Sequence, residues 1–157
     1  MTVWIPQELR ATRASMPATV ASQSRVEAST PTQALSAVND GMAPGSTDEA
    51  VPYYHWWPKN GGTEWLTYTF RQKATVSRSW VYWFEDQPWG GCGLPKAWRI
   101  YYLDDNGAWQ PVKAESYPVA KGTNCTVKFE PVTTTAVKLE VDLPANLSAG
   151  IYEWDVR

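Results

Sequence analysis

Residues 136–143 read Ala-Val-Lys-Leu-Glu-Val-Asp-Leu. Val137, Leu139, Val141 and Leu143 fall on one side, and Lys138, Glu140 and Asp142 on the other, with no break in the alternation. A period of two is the mark of a half-buried β-strand. The same period recurs toward the N-terminus. In Trp65–Phe70, Leu66, Tyr68 and Phe70 alternate with Thr67 and Thr69; in Val76–Phe84, Val81 and Trp83 oppose Trp80, Tyr82 and Phe84. Trp98–Leu103 and Trp109–Val112 flank Asp104-Asp105-Asn106-Gly107, a hairpin signal. Val127 and Phe129 mark a further strand, and Tyr152, Trp154 and Val156 the last. No segment sustains a helical period. Many short strands between Gly/Pro turns predict an all-β, antiparallel, jelly-roll-like sandwich with negligible helix.

The remaining stretches are connectors. Residues 7–33 are rich in Ala, Ser and Thr and read as a linker, with Ala18–Ser22 as a weak first strand. The segment Ala34–Val38 runs into Asn39-Asp40-Gly41, a turn signal, and loop residues continue to about Gly62. With 157 residues, the chain is long enough to bury a core without disulfides or metals. Its formal net charge of −2 and the absence of any Lys/Arg run exclude nucleic acid and anionic membrane as natural partners. No apolar stretch is long enough to span a bilayer. Met1–Pro6 lacks the basic and apolar regions of a signal peptide.

Catalytic patterns are missing. The single histidine, His55, lies within Tyr53-Tyr54-His55-Trp56-Trp57, and Cys92 and Cys125 are far apart in sequence. Neither gives the clustered ligands of a zinc site. No nucleophile-elbow, phosphate-loop or dinucleotide motif is present. Glu64, Glu85 and Asp86 are the carboxylates a glycosidase pair would draw on, and solvated loop charges are the plainer reading of them. Ten tryptophans and eight tyrosines are the unusual feature. Rings this large are hard to bury completely, so several are expected at the surface, where flat faces suit sugar rings.

From Leu35 to Arg157 the ordered motifs resemble discoidin-like, or coagulation factor type C, domains of the galactose-binding-like fold, and among these the carbohydrate-binding modules of family 32 type. The residues that carry the resemblance are Ala37–Gly41, Glu64–Phe70, Pro95–Ile100, Asp105–Trp109, Val127–Val132 and Ile151–Trp154. A finer likeness, through Trp83-Phe84, Gly90-Gly91-Cys92 and Leu94–Arg99, is to the C-terminal module of family 127-like β-L-arabinofuranosidases of bacteria. Thr2–Pro6 resembles the end of the β-domain preceding that module. The resemblance divides the chain into residues 1–6 as the tail of a preceding domain, 7–33 as linker and first strand, and 34–157 as the module. It implies a non-catalytic domain of a larger glycoside hydrolase, exported to the periplasm or the cell exterior, with a plant-type glycan containing arabinose or galactose as ligand and the catalytic domain as partner in cis. It also implies one structural Ca²⁺, held by Asp40 and Glu153 with backbone oxygens of Ala37 and Met42 and an oxygen of Ser46 or Thr47. An ordinary turn is the other reading of Asp40-Gly41.

Loops at one end of such a sandwich build the ligand site. The candidates are Tyr53–Gly62 and Glu85–Leu94, with Ala120–Asn124 beside them. Trp89, between Pro88 and Gly90-Gly91, reads either as an exposed stacking ring or as a plug over the sandwich end. Trp56 and Trp57 point to opposite sides if the backbone is extended, one toward core and one toward ligand. His55, Asp86, Arg99 and Asn124 are the candidate polar partners, Arg99 also fitting a structural ion pair. Strand polarity puts Cys92 and Cys125 at this same end, and both a disulfide and two buried thiols fit. The other functions these residues allow are buttressing a catalytic domain, completing its cleft or, least in keeping with them, standalone catalysis.

Overall fold

The computed structural model describes residues 18–31, 34–45 and 50–157. Seven strands follow in order: β1 (Arg25–Ala28), β2 (Tyr54–His55), β3 (Thr63–Phe84), β4 (Ala97–Leu103), β5 (Trp109–Pro111), β6 (Asn124–Asp142) and β7 (Gly150–Val156). A single 3-10 helix, Leu35–Asn39, is the one helical element among the described residues. The strand order is β2-β7-β3-β6-β4-β5, with β1 on the other side of β3, and every pairing is antiparallel.

The long strands β3 and β6 make the sandwich. Their register slips between Thr69/Ala74 and between Val76/Arg78. Such irregularities bend a paired ribbon and increase its twist. Before the bend, β3 lies between β1 and the second half of β6; after it, β3 lies between β7 and the first half of β6. One ribbon therefore serves both layers. The two segments read separately from the sequence, Trp65–Phe70 and Val76–Phe84, are its two arms.

Leu66, Tyr68, Val81, Trp83, Trp98, Ile100, Val137, Leu139 and Trp154 meet in one core, each at most 2 % exposed. Buried aromatic rings with polar tips need partners. The Tyr68 hydroxyl lies 2.7 Å from the Trp154 carbonyl and 3.1 Å from that of Val38, and the Trp154 indole donates to Ser79 Oγ at 2.9 Å. The stretch Ala18–Ser22 is a turn, not the first strand, which starts at Arg25. Thr19 and Ser22 exchange side-chain-to-backbone bonds of 2.8 and 3.0 Å, the local pairing by which Ser and Thr compete with a sheet ladder.

Because β3 descends and returns, its two ends lie together. Thr63 and Ala97 both pair Asp142, while Phe84 pairs Gly150 and Tyr82 pairs Asn124. The loops at that end are cross-linked through backbone bonds: Ser148 N–H to the Gly91 carbonyl (2.8 Å), Gly93 N–H to Ser148 (2.9 Å) and Gly61 N–H to Pro144 (2.7 Å). The Asp104–Gly107 hairpin sits at the far end, beside the bend of β3, where Lys73 meets Asp105 at 3.0 Å. Cys92 and Cys125 are buried free thiols, so no disulfide closes this end. Burial, reinforced by the Asp86 carboxylate, pushes the Cys92 thiol up to about 12, which leaves it protonated and unreactive.

Candidate functional site

The loop between β3 and β4 is braced from within. Asp86 accepts the Cys92 N–H on its carboxylate (2.8 Å), and its carbonyl accepts the Trp89 and Gly90 N–H groups (3.0 and 2.8 Å). Gln87 donates from its amide to the Gly90 carbonyl at 2.8 Å. Gly90 lies against this brace: a Cβ on it would come 1.9 Å from the Asp86 carboxylate, which would have to give up its position. This bracing raises Trp89 out of the domain, with 94 % of its surface exposed. It is not a plug.

Trp89 stands at the lip of an open cleft of about 360 Å³. Tyr82 of β3 and Tyr152 of β7 also line it, with Glu85, Asp86, Gln87 and Lys121 as the polar lining. Glu85 and Lys121 form an ion pair across it. The Glu85 side chain is nearly buried and the Lys121 side chain mostly in water, so donor N–H groups remain available beside an acceptor carboxylate. Burial, with the nearby Tyr53 and Tyr82 phenols and the Glu85 and Asp86 carboxylates, raises the Tyr152 phenol above its ordinary value; it keeps its O–H at neutral pH. Flat rings with adjacent donors and acceptors can take a polyhydroxylated ring, apolar face down and hydroxyls outward.

Tyr152 reaches this cleft through a bulge. Tyr82 pairs Glu153, but the next residue, Trp83, pairs Ile151, so Tyr152 is the extra residue of β7. Ile151 and Trp154 both stay in the core, and Tyr152 comes within 5.7 Å of Tyr82, centroid to centroid.

The other candidates are distributed as follows. Trp56 is fully buried and belongs to the core, while its neighbour Trp57 is 55 % exposed. His55 is half-buried, 6.3 Å from Trp57. Asp86 lines the cleft, but its carboxylate is committed to the loop. Arg99 lies on the outer face of the sheet: it donates to both Asp142 oxygens (3.0 and 3.2 Å) and to Glu140 (3.2 Å), the structural ion pair. Asn124 is exposed at the start of β6, and Lys121 and Gly122 from the loop before it line the cleft in its place. The sequence singles out Glu85 only as a possible catalytic carboxylate and as the start of a candidate loop, and it does not mark Gln87, Lys121, Tyr82 or Tyr152 as site residues. Lys121 fell inside a loop already singled out, whereas nothing in the sequence announces the bulge at Tyr152.

A second polar center joins the 3-10 helix to β7. Glu153 is only 4 % exposed, and both its oxygens accept the Gly41 N–H, at 3.1 and 3.2 Å. Burial first, then the hydrogen bond and charge of the adjacent Asp40, push the Glu153 carboxyl up to about 10. A buried carboxylate beside a half-buried one fits a hard cation, which would replace the proton that favours their closeness. Among the described residues no third His, Cys, Asp or Glu joins them. A cation there would draw its remaining ligands from backbone oxygens such as those of Ala37 and Met42. Ser46 and Thr47 lie outside the described residues.

An antiparallel sandwich whose aromatic cleft is built by loops at one end defines the class of discoidin-like, galactose-binding-like modules. The chain belongs to the F5/F8 type C family of NedA-like, galactose-binding domains, whose profile matches residues 37–139. Solved structures agree in fold. A Clostridium perfringens module, CpGH89CBM32-5, in complex with GalNAc-β-1,3-galactose, superposes with a TM-score of 0.65 at 13 % identity, over 87 % of this chain and 97 % of that one. The family 32 module of Clostridium perfringens NanJ, in complex with galactose, gives 0.63 at 17 % identity, over 87 % and 95 %. A structure from the Streptococcus pneumoniae β-galactosidase BgaA gives 0.63 at 21 % identity, over 77 % and 83 %.

Proposed function

We propose that this domain is a non-catalytic glycan-binding module that takes a sugar in the cleft between Trp89 and the Tyr82/Tyr152 pair. The observation that carries the reading is Trp89. A ring 94 % exposed contributes little to folding, yet a self-bonded loop holds it at the mouth of a cleft with polar lining. Exposed, positioned aromatics mark binding sites. The family, and the galactose-containing ligands of two structural neighbours, support a neutral sugar such as galactose or arabinose. Such a module fits service to a glycoside hydrolase outside the cell, concentrating a catalytic domain on its polymer, and Asp40 and Glu153 would hold one structural Ca²⁺. Chemical-shift mapping of the labelled domain with galactose, N-acetylgalactosamine and arabinose tests the site. The Trp89 indole and the amides of Tyr82, Tyr152 and Lys121 should move together on titration. Shifts confined to another face would relocate the site, and none with any sugar would favour a buttressing role.

A further inference from the structure

The aromatic surface continues beyond the cleft. From Tyr152 it passes to Tyr53 (6.0 Å between centroids), then to His55 (5.9 Å) and Trp57 (6.3 Å). The cause is the alternation of Tyr53-Tyr54-His55-Trp56-Trp57. Tyr54 and Trp56 point inward and are fully buried, closing the sandwich end. Successive side chains of an extended segment point to opposite faces, so Tyr53, His55 and Trp57 share the outer one. Core packing does not demand aromatic residues there.

Both outer tyrosine and tryptophan rings are seated, not loose. Tyr53 lies flat on Phe84, centroids 3.7 Å apart and planes 7° from parallel, with 38 % of the residue exposed. Trp57 rests its pyrrole edge on the loop that carries Trp89: a Cβ on Gly91 would come within 2.5 Å of its Cδ1 and Nε1. Gly91 is two residues from Trp89, so the two exposed indoles flank one short piece of backbone, at most ~7 Å long.

We infer that Tyr53, His55 and Trp57 form a second subsite, continuous with the cleft, on which the next sugar of an oligosaccharide lies, so that the domain recognises a chain and not a single terminal unit. The inference rests on the reading of the cleft as a sugar site. Continuity decides the occupant: a chain leaving the cleft over Tyr152 meets the exposed rings of Tyr53 and Trp57 at once. An apolar protein partner would account for the exposed rings, but it would not require the row to start in a cleft with polar lining.

Calorimetric titration of the whole chain with galactose, N-acetylgalactosamine and arabinose, and with di- and trisaccharides of each, tests it. In the wild type the disaccharide should bind several-fold more tightly than its monosaccharide. Trp57→Ala should remove that gain while leaving monosaccharide affinity within about twofold, since Trp57 does not line the cleft. Trp89→Ala should weaken both sugars. Equal affinity for mono- and disaccharide, or a chain-length gain that survives Trp57→Ala, overturns the second subsite and leaves the cleft standing. Loss of monosaccharide binding in a Trp57→Ala variant of unchanged melting temperature also overturns it, because Trp57 would then belong to the first site. Absence of binding to every sugar overturns both readings, and a protein partner becomes the explanation for the row.

Discussion

Trp89 is held in water by its loop's own hydrogen bonds, so the loop's small residues carry as much of the site as the ring does. Gly90→Ala puts a methyl group onto the Asp86 carboxylate, and Asp86→Ala leaves the Cys92 N–H without its partner. An unsatisfied buried amide costs about 1–3 kcal/mol. Both variants should therefore melt lower, by roughly 2–10 °C for a domain of this size. Both should also bind sugar more weakly, through loss of pre-organisation and not of contact. Thermal unfolding and titration of the same samples check this. A Gly90→Ala variant with native stability and affinity would show that the loop is not braced as described. The sequence exposed the residue types here but not their division of labour. Asp86 and Trp89 were both legible as site residues, and only the folded loop distinguishes the brace from the platform.

At the scale of strands, alternation located the elements well because one face of most of them is buried. What it could not show was that Trp65–Phe70 and Val76–Phe84 are one bent strand. The slips lie between Thr69 and Ala74 and between Val76 and Arg78, where Arg71, Gln72, Lys73 and Ser77 give no facing signal. Nor could it show Tyr152 leaving the Trp154 face, since a bulge shifts alternation by one residue without changing composition. Arg99 illustrates the same limit. Its position on β4 was evident, but its partners Glu140 and Asp142 belong to β6, across a pairing that only the fold supplies. That ladder has a pH signature. The Arg99 hydrogen bond holds the Asp142 carboxyl below its ordinary 3.8. The folded-state pKa is depressed, so the stabilisation is present above about pH 4 and lost as pH falls through the lower folded value. Melting temperature should drop below pH 4 in the wild type and drop less steeply in Asp142→Asn. The pair is partly exposed, so the difference should be modest, ~1 kcal/mol or less. Parallel acid titrations of the two proteins would contradict the assignment.

The whole molecule separates its tasks: a ribbon core, a loop end bearing exposed rings, and a flank where Asp40 meets Glu153 across most of the chain's length. If Ca²⁺ occupies that flank, it ties the 3-10 helix to β7 in the native state alone. At a hundredfold excess over its Kd it then adds ~2.7 kcal/mol of stability. Chelation should lower the melting temperature by roughly 5–10 °C. Asp40→Asn should melt lower in calcium and no longer respond to chelator. Because Glu153 would otherwise hold a proton at neutral pH, calcium uptake should release protons, measurable by titration in buffers of differing ionisation enthalpy. A wild type indifferent to chelator would remove the ion from the account. The central claim is that Trp89 serves ligand and not fold. The most direct measurement is calorimetric titration of wild type and Trp89→Ala with galactose-containing glycans, each sample paired with its melting curve. Saturable binding is expected of the wild type, and a loss of tenfold or more, about 1.4 kcal/mol, of the variant, at an unchanged melting temperature. A variant that binds as well as the wild type, or one that binds normally and melts far lower, would contradict it.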